Sequence, residues 1–125
     1  MTNSAIDTTT PEALMRSFTD RVHAGDLDGL VSLYEPAAVF EPQPGVVVEG
    51  RPAIRQALAE LLALRPRMVA ETVQVLRADD VALVINEWTM TGTAPDGSEV
   101  RQGGRSADVV RRQPSGAWLV LVDKP

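Results

Sequence analysis

The second half of the chain carries carboxyl, amide and aromatic side chains at alternate positions, the spacing that gathers groups on one face of a strand. In the run Val81 to Gly92, Ala82, Val84, Asn86, Trp88 and Met90 share one face, and Val81, Leu83, Ile85, Glu87 and Thr89 share the other. Further on, Ser106, Asp108 and Val110 oppose Arg105, Ala107, Val109 and Arg111. At the end of the chain, Leu119, Leu121 and Asp123 oppose Trp118, Val120 and Val122. Asp108 and Asp123 are therefore acids set among apolar neighbours. A carboxylate with a tuned pKa suffices to move a proton at a carbon beside a carbonyl. An acid desolvated in that setting is expected to titrate well above an ordinary aspartate.

Each of these residues also has a plainer reading. Asp108 can bond to backbone or pair with Arg112, and Asp123 can be a solvated strand end. Trp88 can serve as core or as pocket wall, and Asn86 can satisfy a neighbouring backbone group. His23 falls in the last turn of a helix, where a cation suits the dipole, and is expected at the surface. Trp118 follows a turn and reads as a packing anchor. Gly103-Gly104 precedes neither a helix start nor a lysine, so it is no phosphate loop; a β-bulge bending the strand is the expectation.

Composition removes several classes of chemistry. The 125 residues include no cysteine, so there is no disulfide, thiolate nucleophile or cysteine metal site. A lone histidine, His23, argues against a zinc centre, and no metal or cofactor is expected. A net charge of -5, with only Arg111-Arg112 adjacent among the basic residues, argues against a nucleic-acid partner. No apolar run approaches membrane-spanning length, and Met1 to Thr10 has no signal-peptide pattern. The expectation is a soluble, cytoplasmic protein without a membrane partner.

These groups need elements to hold them. Residues 1–10, polar and Thr-rich, read as a mobile tail, and 11–125 as one domain. Thr10-Pro11-Glu12 reads as a helix start, with Leu14, Phe18 and Val22 on one face until Gly25 stops it. Asp26 caps a second helix that buries Leu27, Leu30, Val31 and Tyr34 and ends before Pro36. A short strand through Val39-Phe40 and a turn at Pro42 to Gly45 come next. A third helix, with Ile54, Leu58, Leu61 and Leu62 on one face, closes at Arg65-Pro66. Extended runs over roughly 67–78, 80–92, 99–112 and 117–123 follow, joined by turns at Asp79-Asp80, Ala94 to Gly97 and Gln113 to Gly116. The fold class is α+β: three N-terminal helices packed on a curved, mostly antiparallel sheet, forming a cone with an internal pocket.

The stretch His23-Ala24-Gly25-Asp26-Leu27-Asp28-Gly29-Leu30-Val31-Ser32-Leu33-Tyr34, followed by Ala38-Val39-Phe40-Glu41-Pro42, resembles the opening of nuclear transport factor 2-like proteins. That superfamily includes ketosteroid isomerases, SnoaL-like polyketide cyclases and limonene-epoxide hydrolases. Against the isomerases, the resemblance puts Asp108 on their neutral, hydrogen-bond-donating acid. It puts Phe18 on their tyrosine and Pro42 on their aspartate base, so base and phenol are missing. Against the epoxide hydrolases, Trp88 and Met90 stand for the arginine and first aspartate, and Asp123 for the second aspartate. Against the SnoaL-like cyclases, Asp123 matches the acidic residue of the last strand, which implies acid–base catalysis of an aldol-type ring closure.

The resemblance thus implies an apolar cavity lined by Phe18, Tyr34, Phe40, Asn86, Trp88, Met90, Val110 and Leu121, with Asp108 and Asp123 as candidate catalytic acids. The expected ligand is a small apolar carbonyl compound. The expected macromolecular partner is a second copy of the chain, docked on the outer sheet face. The same fold also serves as a non-catalytic binding or assembly module, which is the alternative reading.

Overall fold

The computed structural model describes residues 6–125. Helix α1 (Pro11–Ala24) begins where the Thr10 side chain accepts from the Ala13 N–H, with proline in the first turn. It stops at Gly25, whose φ of 64° is left-handed. Asp26 then caps α2 (Leu27–Ser32) through the Gly29 N–H and receives Arg21 Nη1 at 3.2 Å. Residues 1–5 of the expected tail lie outside the described residues. Within the rest of it, Asp7 exchanges two hydrogen bonds with the Ser17 hydroxyl, and the Thr8 carbonyl accepts from Trp118 N.

The second helix is shorter than its periodicity predicts. Tyr34 leaves it to begin strand β1 (Tyr34–Gln43), which is ten residues long rather than a short piece around Val39-Phe40. Pairing decides the outcome: Tyr34 lies opposite Val120 and Phe40 opposite Asp123 on the last strand. Pro36, which has no N–H to give, sits in the irregular stretch between Tyr34 and Val39 where the register shifts. Strand β2 (Val46–Glu49) returns along β1, and α3 (Arg51–Ala63) crosses behind it.

Strands β3 (Arg67–Ala78), β4 (Val81–Thr93), β5 (Glu99–Arg112) and β6 (Trp118–Lys124) form the expected antiparallel meander. The sheet order is β2-β1-β6-β5-β4-β3, with β1 and β6 parallel and every other neighbour antiparallel. Helices lie on its concave face over a core of Leu14, Leu30, Tyr34, Ile54, Leu58, Val84, Val110 and Trp118. Trp118 is fully buried with the Arg77 guanidinium over its ring at 4.8 Å. Among the described residues, no helix is long and apolar enough to cross a membrane.

Two strand expectations need correction. The β4–β5 register runs unbroken from Val81↔Arg111 to Thr93↔Glu99, so there is no bulge at Gly103-Gly104. Gly103 instead permits a close approach. A Cβ on Gly103 would stand 3.0 Å from the Trp88 carbonyl oxygen. The bulge lies in β6, where Val110 pairs with Val120 but Val109 pairs with Val122, leaving Leu121 as the extra residue. Strict alternation therefore fails after Val120. Asp123, opposite Asp108, joins Trp118 and Val120 on the concave face instead of opposing them.

Candidate functional site

Between α1, α3 and the concave sheet lies a cavity of about 370 Å³. Its wall is apolar over Met15, Phe18, Phe40, Leu61, Leu64, Met68, Trp88 and Met90. Its polar groups include Asn86, Ser106, Asp123, Gln102 and Glu60; no lysine, arginine or histidine lines it among the described residues. No group of three or more His, Asp or Glu side chains among them is arranged to hold a metal ion.

Of the two aspartates, Asp123 is the one that reaches the cavity. Its Oδ2 accepts from the Tyr34 hydroxyl at 2.5 Å, and the carboxyl also accepts from Asp108. Burial raises its pKa above the ordinary aspartate value, and these two bonds work against the rise by stabilising the charged form. Asp108 lies behind it, 6% exposed and off the cavity surface. Burial, followed by the neighbouring Asp123 charge and the bond donated to it, pushes Asp108 well above the ordinary value. Tyr34 is also pushed well up, chiefly by burial and then by Asp123, and stays a neutral donor. Two carboxyls this close hold one proton between them. Asp108, pushed up further than Asp123, is the member that holds the proton more strongly, and Asp123 is the one that faces the ligand space.

A chain of neutral groups fixes this arrangement. Asn86 Nδ2 lies 3.2 Å from Asp108 Oδ2, 3.0 Å from Ser106 Oγ and 3.4 Å from Met15 Sδ. Asn86 Oδ1 accepts from the Thr72 hydroxyl at 2.7 Å, which sets the amide's orientation. The Lys124 N–H donates to Asp108 Oδ1 at 3.3 Å. Arg112 pairs with Asp80 and Arg111 with Glu35, so neither guanidinium neutralises Asp108. His23 is exposed, and its Nε2 accepts from Met68 N at 3.0 Å, tying the end of α1 to edge strand β3.

Of the residues singled out from sequence, Phe18, Phe40, Asn86, Trp88, Met90 and Asp123 line the cavity. Tyr34 and Val110 are fully buried beneath it, Tyr34 touching the site only through Asp123. Leu121, at the bulge, does not line it. Ser106 was legible as a face-mate of Asp108. Thr72, Met68, Glu60 and Gln102 carried no local signal, because their place depends on how β3, α3 and the far end of β5 close over the sheet.

Comparison with known proteins places this geometry in a family. The SnoaL-like domain model matches residues 15–119, and the chain belongs to that family. No curated protein matches the sequence. Among solved structures, a ketosteroid isomerase-like protein from Erwinia carotovora atroseptica superposes with a TM-score of 0.81 at 15% identity, covering 93% of this chain and 92% of the other. A protein from Streptomyces avermitilis, provisionally assigned as an NTF2-like dehydratase, gives 0.79 at 20% identity, with 95% of each chain covered. A provisionally assigned calcium/calmodulin-dependent protein kinase II association domain from Xanthomonas campestris gives 0.78 at 24% identity, covering 98% and 92%. At these identities the likeness is one of fold.

Proposed function

We propose that the cavity binds a small, largely apolar carbonyl compound and that Asp123 transfers a proton at the carbon beside the carbonyl. The observation that carries this reading is the position of Asp123: a carboxylate on an apolar cavity wall, backed by a protonated Asp108 and by Tyr34. Asp123 takes the proton and becomes the acid, while the electron pair of the C–H bond passes to the enolate. In isomerisation the proton returns to another carbon. In an aldol-type closure the enolate carbon bonds to a second carbonyl of the same molecule, and the resulting alkoxide takes the proton from Asp123. Asp108 and Tyr34 act through Asp123 as positioning residues.

The absence of basic groups from the wall among the described residues favours neutral ligands over carboxylates or phosphates. The outer sheet face supports a second element of the proposal. Val69 and Leu76 are 71% and 54% exposed there, and Val81 and Leu83 extend the apolar patch across β4. A second copy of the chain is the partner proposed for it.

The test is hydrogen–deuterium exchange at the α-carbons of 2-decalone in D₂O, followed by NMR with wild type, Asp123→Asn and Asp108→Asn. Catalysed exchange that Asp123→Asn abolishes supports the reading. Binding without exchange above the buffer rate would sink it and leave a non-catalytic binding module.

A further inference from the structure

Asn86 lines the cavity from the middle of β4, and its amide has one orientation. The Thr72 hydroxyl donates to Oδ1, which leaves Nδ2 to face Ser106 and Asp108 on β5 and Met15 on α1. Three acceptors thus compete for two hydrogens. Ser106 Oγ, at 3.0 Å, takes one. The other is divided between Asp108 Oδ2 at 3.2 Å and Met15 Sδ at 3.4 Å, and neither holds it firmly. Asp108 is also supplied by the Lys124 N–H and the Ser106 hydroxyl, and a thioether is a weak acceptor.

Met15 is the contact most easily moved. It is half-buried, lines the cavity, and has an unbranched side chain with three rotatable bonds. Ser106 and Asp108, by contrast, are buried on an interior strand of the sheet. A ligand that pushes the thioether aside uncovers a hydrogen-bond donor on the cavity wall.

That donor lies within one carbonyl group's reach of Asp123. Asn86 Nδ2 and the Asp123 carboxyl both bond to the Asp108 carboxyl, which keeps them at most about 8 Å apart. From an amide nitrogen through a carbonyl oxygen and the α-carbon to a carboxylate oxygen, the steps are about 2.9, 2.4 and 3.3 Å. A bent path of those steps matches the separation.

We propose that Asn86 Nδ2–H is the binding site for the ligand's carbonyl oxygen, taken over from Met15 Sδ as the ligand enters. This rests on the cavity being the ligand site, as argued above, and fixes which way round a ketone sits: oxygen on Asn86, α-carbon at Asp123. With Asp123 as base, the bond strengthens as the oxygen gains enolate charge, so Asn86 is a catalytic residue as well as a binding one.

The probes are trans-2-decalone and trans-2-methylenedecalin, which share a shape and differ in the acceptor oxygen. Asn86→Leu, close in shape and without a donor, is expected to lower the ketone-to-alkene affinity ratio about tenfold. Met15→Leu, which removes the competing sulfur, is expected to raise that ratio about twofold. The infrared carbonyl stretch of bound decalone is expected below its position in alkane solvent for wild type and Met15→Leu, and back near it for Asn86→Leu. At the pH plateau, Asn86→Leu is expected to slow α-carbon exchange roughly a hundredfold. A shifted midpoint with an unchanged plateau would mean that Asn86 acts only through Asp108, and overturns the proposal. So does an affinity ratio that neither variant changes, an alkane-like stretch in wild type, or no binding of either compound. Should Asn86→Leu not fold, the Met15→Leu ratio and the wild-type stretch decide. The two readings fail separately. Exchange with an alkane-like stretch removes the oxygen site and keeps the base, whereas a lowered stretch without exchange does the reverse.

Discussion

Asp108 and Asp123 are register partners on β5 and β6, and their carboxyls are joined by a hydrogen bond that Asp108 donates. Both titrate above an ordinary aspartate, and Asp108, the member off the cavity surface, is raised further. This asymmetry follows from position: Asp123 has Tyr34 as an additional donor, while Asp108 lies off the cavity surface with no cation beside it.

The first prediction is a pH dependence of stability. Both carboxyls titrate above the unfolded value near 3.8, so from that pH upward the native state holds more protons than the unfolded chain. Their contribution is complete below about pH 4 and is lost as pH rises through the raised native values. Asp26 and Glu35, held below their ordinary values chiefly by the Gly29 N–H and by Arg111 respectively, act in the opposite sense below about pH 4. Urea unfolding between pH 5 and 8 is expected to show stability falling for wild type and a flatter profile for Asp108→Asn. Parallel profiles would mean that Asp108 is not the protonated member.

Tyr34→Phe should separate packing from electrostatics. The ring keeps its edge contact with Phe18, at 6.4 Å between centroids, and its tilted contact with Phe40 at 6.2 Å. Only the bond to Asp123 goes, at a cost of about 1–2 kcal/mol. The pH midpoint of ketone exchange is expected to rise, because the Asp123 carboxylate loses a donor. An unchanged midpoint would show that the hydroxyl does not act on Asp123.

Gly92 marks where α3 closes on the sheet. A Cβ there would stand 2.9 Å from the Leu64 carbonyl oxygen, which also accepts from Thr93 N at 2.8 Å. Gly92→Ala is expected to cost about 1–3 kcal/mol in urea unfolding and to weaken ligand binding, since Leu64 lines the cavity. Gly104→Ala, whose new methyl group meets nothing closer than 3.8 Å, should stay within about 0.5 kcal/mol of wild type. Equal costs would mean that the close approach at Leu64 relaxes freely.

For the outer face, Leu83→Arg places a charge in the patch that β3 and β4 present. Sedimentation is expected to give a dimer for wild type and a monomer for the variant. A monomeric wild type at high concentration would remove the proposed pairing.

Much of the fold was legible because its signals are local. Thr10-Pro11, Gly25 and Asp26 define helix boundaries through backbone chemistry that acts within a few residues. The turns at Asp79-Asp80, Ala94 to Gly97 and Gln113 to Gly116 set the hairpins in the same way. What sequence reading missed depends on pairing between distant segments. Tyr34 fits the helical spacing of Leu27, Leu30 and Val31, yet strand pairing with Val120 claims it. Adjacent glycines suggest a bulge wherever they occur, but here Gly103 serves the close approach of the Trp88 backbone. The shielding of Asp108 behind Asp123 was illegible for the same reason, since it requires the register of two strands joined by a turn.

The extra residue in β6 makes the chemistry of this cavity depend on strand register as well as on side-chain identity. Val120 and Asp123 share a face only because Leu121 takes up one position without a partner. Were Leu121 drawn into the ladder instead, Asp123 would turn to the opposite surface with every cavity residue still in the sequence, whereas deleting Leu121 would leave Asp123 facing inward by simple alternation. When relatives of this chain are aligned, a gap placed one position away in the last strand can therefore assign the acid to a protein that does not present it, or withhold it from one that does.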